Sequence, residues 1–326
     1  MTKVSLCQRR QTNLNIQNSN ISEMLIELRN DNSSGANELI AKALEIIKFQ
    51  LKMVKDPFED IKEAITDLAR DIINSRPSMA PIINTIGFIL NNLKTISKNK
   101  IKERITKFED ARTARYKALE KNFADFLNLY CKSHCKIMLI SYSSTVINFL
   151  KKNSNSDLEI YVLESRPLLE GRKTAEILSQ FFKTHLIVDA GMGKFIDEID
   201  LVLIGVDSIL KDGSIINKIG TFPLAITANA HNIDVYAVTD SYKYNLKSHY
   251  NQKILIEEKP IKEIYDKEVR CLKIKIHNYY FDITPSKYIK GFISEYGILS
   301  VQEFVDKIQQ DLPIEWFKYF LINKNI

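Results

Sequence analysis

The chain has 326 residues, 45% of them hydrophobic and 26% charged, which excludes a disordered or fibrous protein and suits two domains. Its net charge of +6 does not by itself imply nucleic acid, and four cysteines (Cys7, Cys131, Cys135, Cys271) make no disulfide framework. The first twenty residues hold no apolar signal core and no run approaches about 18 apolar residues, so the chain reads as cytoplasmic, without membrane association. Glycine is scarce: there are 10, and six lie between Gly171 and Gly220, which marks that stretch as the place to look for chemistry.

Residues 1–20 form a polar segment expected to be mobile, and residues 21–129 read as a helical domain. In Ala36 to Met53 the set Leu39, Ile40, Ala43, Leu44, Ile47 and Leu51 draws one apolar stripe at helical spacing. Phe58, Ile61, Ile65, Leu68 and Ile72 repeat the pattern from Pro57 to Asn74, and a third helix is expected over Ile82 to Leu93. Pro57 marks a helix start, while Pro77 and Pro81 are read as flanking a turn. A fourth, long helix spans Ser97 to Leu129. From Lys94 to Lys121 there are ten Lys or Arg and four acids, an excess equal to the whole net charge. This run is read as a solvated face in preference to an RNA contact, because only Phe108 and Tyr116 are available to stack on bases.

Residues 130–326 change character. Short apolar runs at 136–142, 158–165, 185–190, 201–206 and 235–240 alternate with amphipathic segments such as Lys173 to Phe182 and Phe222 to His231. That alternation predicts a parallel sheet covered by helices on both faces, a Rossmann-like α/β domain whose ligand site lies at the carboxyl ends of its strands. The tail from Phe281 is read as Asp-Ile-Thr-Pro followed by helical material. Cys131 and Cys135 flank His134, but a structural zinc site needs a second ligand pair, so they are read as thiols at a helix–strand junction. No metal or cofactor is expected.

Three loops could carry chemistry. In Glu164 to Arg172, Arg166 either offers a fork of donors to a phosphate or carboxylate or pairs with Glu164 to order the loop. Gly171, read as preceding a helix, would let backbone approach an anion. The run Asp189-Ala190-Gly191-Met192-Gly193-Lys194 lacks the third glycine of a dinucleotide fingerprint and reads as a tight strand-to-helix turn. After the fourth strand, Asp207 is either a carboxylate with a raised pKa, suited to proton transfer, or a local cap. Asn217 and Lys218 precede Gly220, and Lys218 is a natural point-charge partner for phosphate.

The strings Glu164-Ser165-Arg166-Pro167, Gly205-Val206-Asp207-Ser208 and Asn217-Lys218-Ile219-Gly220-Thr221 resemble the alpha/beta/delta regulatory subunit family of translation initiation factor 2B. That family also holds isomerases of methylthioribose 1-phosphate and ribose 1,5-bisphosphate. The likeness extends to Asp282 to Pro285, to Asp31 to Ala36, and to Ser75-Arg76-Pro77. It implies a helical domain followed by a Rossmann-like domain, and assembly into dimers or hexamers. It also implies phosphate contacts at Ser34, Gly35, Ala36, Arg76, Asn217 and Lys218, with Arg166 and Glu170 in the same ligand site. Glu170 stands where the methylthioribose-phosphate enzyme has glutamine, and Ser34 where the isomerases have arginine. The isomerases pair a catalytic cysteine with an aspartate. Here the aspartate is Asp207 and the cysteine position is Ser141, whose hydroxyl is far less acidic than a thiol. The resemblance thus implies a regulatory subunit whose partners are sister subunits and the alpha subunit of initiation factor 2, with a nucleoside monophosphate or sugar phosphate as ligand. The alternative is a divergent aldose–ketose isomerase that uses Asp207 as acid/base.

Overall fold

A computed structural model describes residues 20–31, 35–54, 58–76, 79–91, 97–265 and 273–318. The polar segment expected to be mobile lies almost wholly outside them, as do Ser34, Lys94, Cys7 and Cys271. The described residues form two compact units. One comprises those up to Ala111 together with those from Pro313 onward, and the other is Arg112–Leu312. None of the described helices is long and apolar enough to cross a membrane.

The first unit is helical, with α1 (20–30), α2 (Ala36–Met53), α3 (Phe58–Ser75), α4 (Ala80–Leu90) and the first part of α5 (Lys98–Tyr130). The apolar stripe read in α2 is its buried face: Leu39, Ile40, Ala43, Leu44, Ile47 and Leu51 all sit in the core. α4 begins two residues earlier than its apolar pattern suggested. Pro81 lies inside its first turn, where a missing N–H costs no helical bond, and so does not flank a loop. A short α12 (Glu315–Phe317) returns to this unit and buries Trp316 and Phe317. Gly87 of α4 accommodates that indole: a Cβ there would stand 1.8 Å from Trp316 Nε1.

The second unit is built on a seven-stranded sheet. Its strands are β1 (Cys135–Ile140), β2 (Leu158–Leu163), β3 (Lys183–Ile187), β4 (Leu201–Gly205), β7 (Asp234–Val238), β9 (Gly291–Ser294) and β10 (Gly297–Leu299), in the order β10-β9-β7-β4-β1-β2-β3. All neighbours pair in parallel except β9 and β10. The helices are α6 (Ser144–Lys152), α7 (Glu170–Leu178), α8 (Met192–Phe195), α9 (Thr221–Ala230), α10 (Leu246–His249) and α11 (Val301–Asp311). β1, β2 and β4 are buried on both sides, which is why they read as near-continuous apolar runs, interrupted only by Lys136 and Glu159. Ile137, Leu139, Ile160, Val162, Leu201 and Leu203 pack with Phe149 of α6 and with Leu119, Phe123 and Phe126 of α5.

Two parts of the sequence reading are corrected. β3 starts at Lys183, not His185, and ends before Val188, because an edge strand can extend through polar residues that no core demands. A second, antiparallel sheet of β5 (Ser208–Ile209), β6 (Ile215–Lys218) and β8 (Phe281–Thr284) replaces what was read as loop and tail, and β9 and β10 stand where the tail was read as helical before α11. Strands of two to four residues are too short to print a period of two. Cys131 and Cys135 do lie at the junction of α5 and β1, as free thiols.

Candidate functional site

The strand order creates the site. β1 and β4 are neighbours, yet β2 and β3 intervene in sequence and lie on the far side of β1. Loops leaving two such strands diverge and open a crevice at their carboxyl ends. Ser141 follows β1 and Asp207 follows β4, so two residues far apart in sequence stand at the carboxyl ends of neighbouring strands.

Ser141 adopts a left-handed backbone (φ 71°), which ends the β1 ladder two residues before its apolar run suggested. Its amide donates to Ser165 Oγ at 2.7 Å, and its carbonyl accepts from Thr174 Oγ1 at 2.8 Å. Its hydroxyl donates to Glu170 Oε1 at 3.2 Å. Ser165 (φ 66°) and Leu169 (φ 61°) share the left-handed conformation. Three such non-glycine residues, each costing about 1–3 kcal/mol, mark a corner held in a demanding shape. Asp189 braces it, accepting the amides of Ser165 and Arg166 at 2.7 Å each.

Glu170 opens α7 and lies 2.8 Å from Lys218 Nζ, at the end of β6. The Lys218 side chain is only 3% exposed and that of Glu170 24%. The pair is close by distance but not aligned as a hydrogen bond. Lys218 Nζ and Glu170 Oε2 are both buried without a hydrogen-bond partner. Asp207 is half-buried, and its amide donates to Ile216 O at 2.9 Å. Burial raises its carboxyl pKa above the usual range; Lys243 opposes that, Glu170 adds to it, and Lys218 opposes it. The site therefore gathers a carboxyl suited to holding a proton, a buried ammonium group, a carboxylate acceptor and a serine hydroxyl. The Ser141 hydroxyl meets a carboxylate and no imidazole among the described residues.

Asn217 is buried and donates through Nδ2 to Thr221 Oγ1 at 3.0 Å, bridging the turn from β6 into α9. Opposite it on β8, Asp282 accepts the amides of Gly220 at 2.8 Å and Phe222 at 3.2 Å. Burial raises the Asp282 pKa to about 6 against those two bonds. The carboxylate thereby occupies the amino end of α9, where Gly220 takes φ 100°.

Other expected positions go elsewhere. Arg166 is exposed and its guanidinium makes no hydrogen bond or ion pair among the described residues; Glu164 pairs with Arg172 instead, at 2.8 Å. Gly171 lies within the first turn of α7, not before it, and serves packing: a Cβ there would stand 1.8 Å from the Leu163 carbonyl oxygen. In the helical unit, Gly35 and Ala36 begin α2. Arg76 donates to the Leu28 carbonyl at 2.8 Å and to the Asp31 carbonyl, closing the end of α1. On α5, Arg104 donates to the carbonyls of Ile89 and Asn91, and Arg115 stacks 3.8 Å over the Tyr242 ring. Part of the basic run thus has structural work.

Sequence reasoning gave no site role to Lys243, to Asp189 in the turn after the third strand, or to Asp282 in the tail. Lys243 and Asp189 follow strand ends, the same signal that singled out Asp207. Asp282 sits in a strand too short to be read. Among the described residues, no group of three or more His, Cys, Asp or Glu side chains could hold a metal ion.

The comparisons agree with this architecture. Ribose 1,5-bisphosphate isomerase of Methanocaldococcus jannaschii is 30% identical over 287 residues, covering 86% of this chain and 92% of that protein. A translation initiation factor eIF-2B subunit 2-like protein of Pyrococcus furiosus is 30% identical over 283 residues, covering 86% of this chain and 96% of the relative. The crystal structure of translation initiation factor eIF-2B from Pyrococcus horikoshii superposes with a TM-score of 0.73 at 26% identity, covering 86% of this chain and 97% of that one. Residues 32–301 match the model of the initiation factor 2 subunit family, and the chain belongs to that family.

Proposed function

We propose that this chain is a non-catalytic regulatory subunit of the initiation factor 2B type, carrying a phosphorylated ligand in a retired isomerase site. The observation that carries this reading is Ser141. It stands where the resemblance places the isomerases' thiol, and its hydroxyl is bonded to Glu170 Oε1 at 3.2 Å, a carboxylate too weak a base to generate an alkoxide. Lys218, buried and without an aligned acceptor, supports the retained ligand site, and Asn217 stands beside it. The ligand is a nucleoside monophosphate or a sugar phosphate. The partners in this reading are sister subunits and the alpha subunit of initiation factor 2, in a dimer or hexamer within the cytoplasm.

The test is turnover of ribose 1,5-bisphosphate and methylthioribose 1-phosphate by the wild-type chain, Ser141→Cys and Asp207→Asn. We expect none from the wild type and a gain in Ser141→Cys. Wild-type turnover that Asp207→Asn abolishes overturns the proposal. That result would establish the second reading, an aldose–ketose isomerase, which the burial-raised pKa of Asp207 favours because a carboxyl held above its ordinary range is better matched to proton transfer.

A further inference from the structure

We infer that Glu170 determines the specificity of this site, holding Lys218 as a ligand's anion would and making the site select a hydroxyl-bearing phosphate ester over bare phosphate. The inference rests on the reading above that the site takes a phosphorylated ligand.

Two buried atoms without hydrogen-bond partners lie side by side here, and they want opposite things. Lys218 Nζ, on a side chain 3% exposed, lacks an aligned acceptor, while Glu170 Oε2 lacks a donor. Buried polar groups of this kind are expensive unless a partner completes them. A ligand that completes both presents an acceptor oxygen to the ammonium group and a hydroxyl donor to the carboxylate. A sugar phosphate carries both in one molecule. Bare phosphate supplies the acceptor, but its only donors are P–OH groups on the same phosphorus, and it has no separate hydroxyl to reach Glu170 Oε2.

Glu170 has a second claim on the site through Oε1, which accepts the Ser141 hydroxyl at 3.2 Å and lies 2.8 Å from Lys218 Nζ. The carboxylate is thereby held on the cation from the amino end of α7. An incoming anion shares Lys218 with it at close range, in surroundings where water screens poorly. That repulsion falls on any phosphate group, and it is offset only by a ligand that repays the carboxylate with a hydrogen bond. Glutamine at this position would keep the shape and an acceptor while removing the repulsion.

Titration calorimetry on the full chain tests this with inorganic phosphate and ribose 5-phosphate as probes. For the wild type, ribose 5-phosphate should bind at least about tenfold more tightly than phosphate. In Glu170→Gln, phosphate affinity should rise by roughly tenfold while ribose 5-phosphate changes less, so the ratio narrows. Glu170→Met, of similar volume and without an acceptor, should bring the ratio close to one. An unchanged ratio in both variants, with near-ultraviolet circular dichroism like that of the wild type, overturns this inference and leaves the proposed ligand site standing. Binding of neither probe to any of the three proteins at millimolar concentration removes the ligand site and the inference together.

Discussion

Asp282→Asn should make the chain progressively more stable than the wild type as pH rises. The Asp282 carboxyl accepts amides at the amino end of α9, yet burial outweighs them and moves its pKa from an ordinary 3.8 to about 6. A folded-state pKa above the unfolded one means that the folded protein binds the proton more tightly. The stability this gives is fully present below about pH 4 and is lost as pH rises through about 6. The displacement corresponds to about 3 kcal/mol between those limits. Asparagine presents the same carbonyl geometry to Gly220 and Phe222 without titrating. Urea denaturation of wild type and variant, followed by circular dichroism at matched pH values from 4 to 7.5, gives the difference directly, and subtraction cancels every other titrating group. The variant's relative stability should climb by up to about 3 kcal/mol across that range. A difference that stays flat, or that falls with pH, would refute the argument that burial dominates at this carboxylate.

Two further outcomes follow from close contacts. Alanine for glycine in an open helix gains about 1 kcal/mol, but Gly87→Ala should destabilise, because its Cβ would fall 1.8 Å from Trp316 Nε1. Trp316 is the only tryptophan, so its fluorescence reports the displacement as a red shift; an unshifted spectrum with higher stability would contradict the contact. Lys218→Met should cost about 3 kcal/mol by leaving the Glu170 carboxylate without its counter-charge, and adding Glu170→Gln should restore most of that. Denaturant titration of the two single variants and the double variant measures the coupling, and additive effects would argue against the pair.

The division of the chain into helices followed by α/β alternation was legible because burial imposes a period. The stripe Leu39, Ala43, Ile47 and Leu51 reads as one helix face, and the near-continuous apolar runs of β1, β2 and β4 as strands covered on both sides. Asp207 was legible as a candidate because it follows an apolar run and carries charge, and Lys218 because it is a cation just before Gly220. The small antiparallel sheet was not, since its strands are two to four residues long and are held by partners distant in sequence.

The glycine cluster shows the same limit. Its density falls around the candidate site, but its reasons are mixed: Gly171 makes room for the Leu163 carbonyl, and Gly220 turns the chain into α9 at φ 100°. Neither reason is printed in the local sequence. By itself the sequence determined which residue types stand at the strand ends, including the serine at Ser141, because those are facts of composition and order. Only the tertiary structure decided which of them meet. Ser141, Glu170 and Lys218 come from three separate segments, and the ion pair and hydrogen bond that join them exist because the sheet reverses its order between β1 and β4. Contact between distant segments is set by topology and packing, which no local pattern carries.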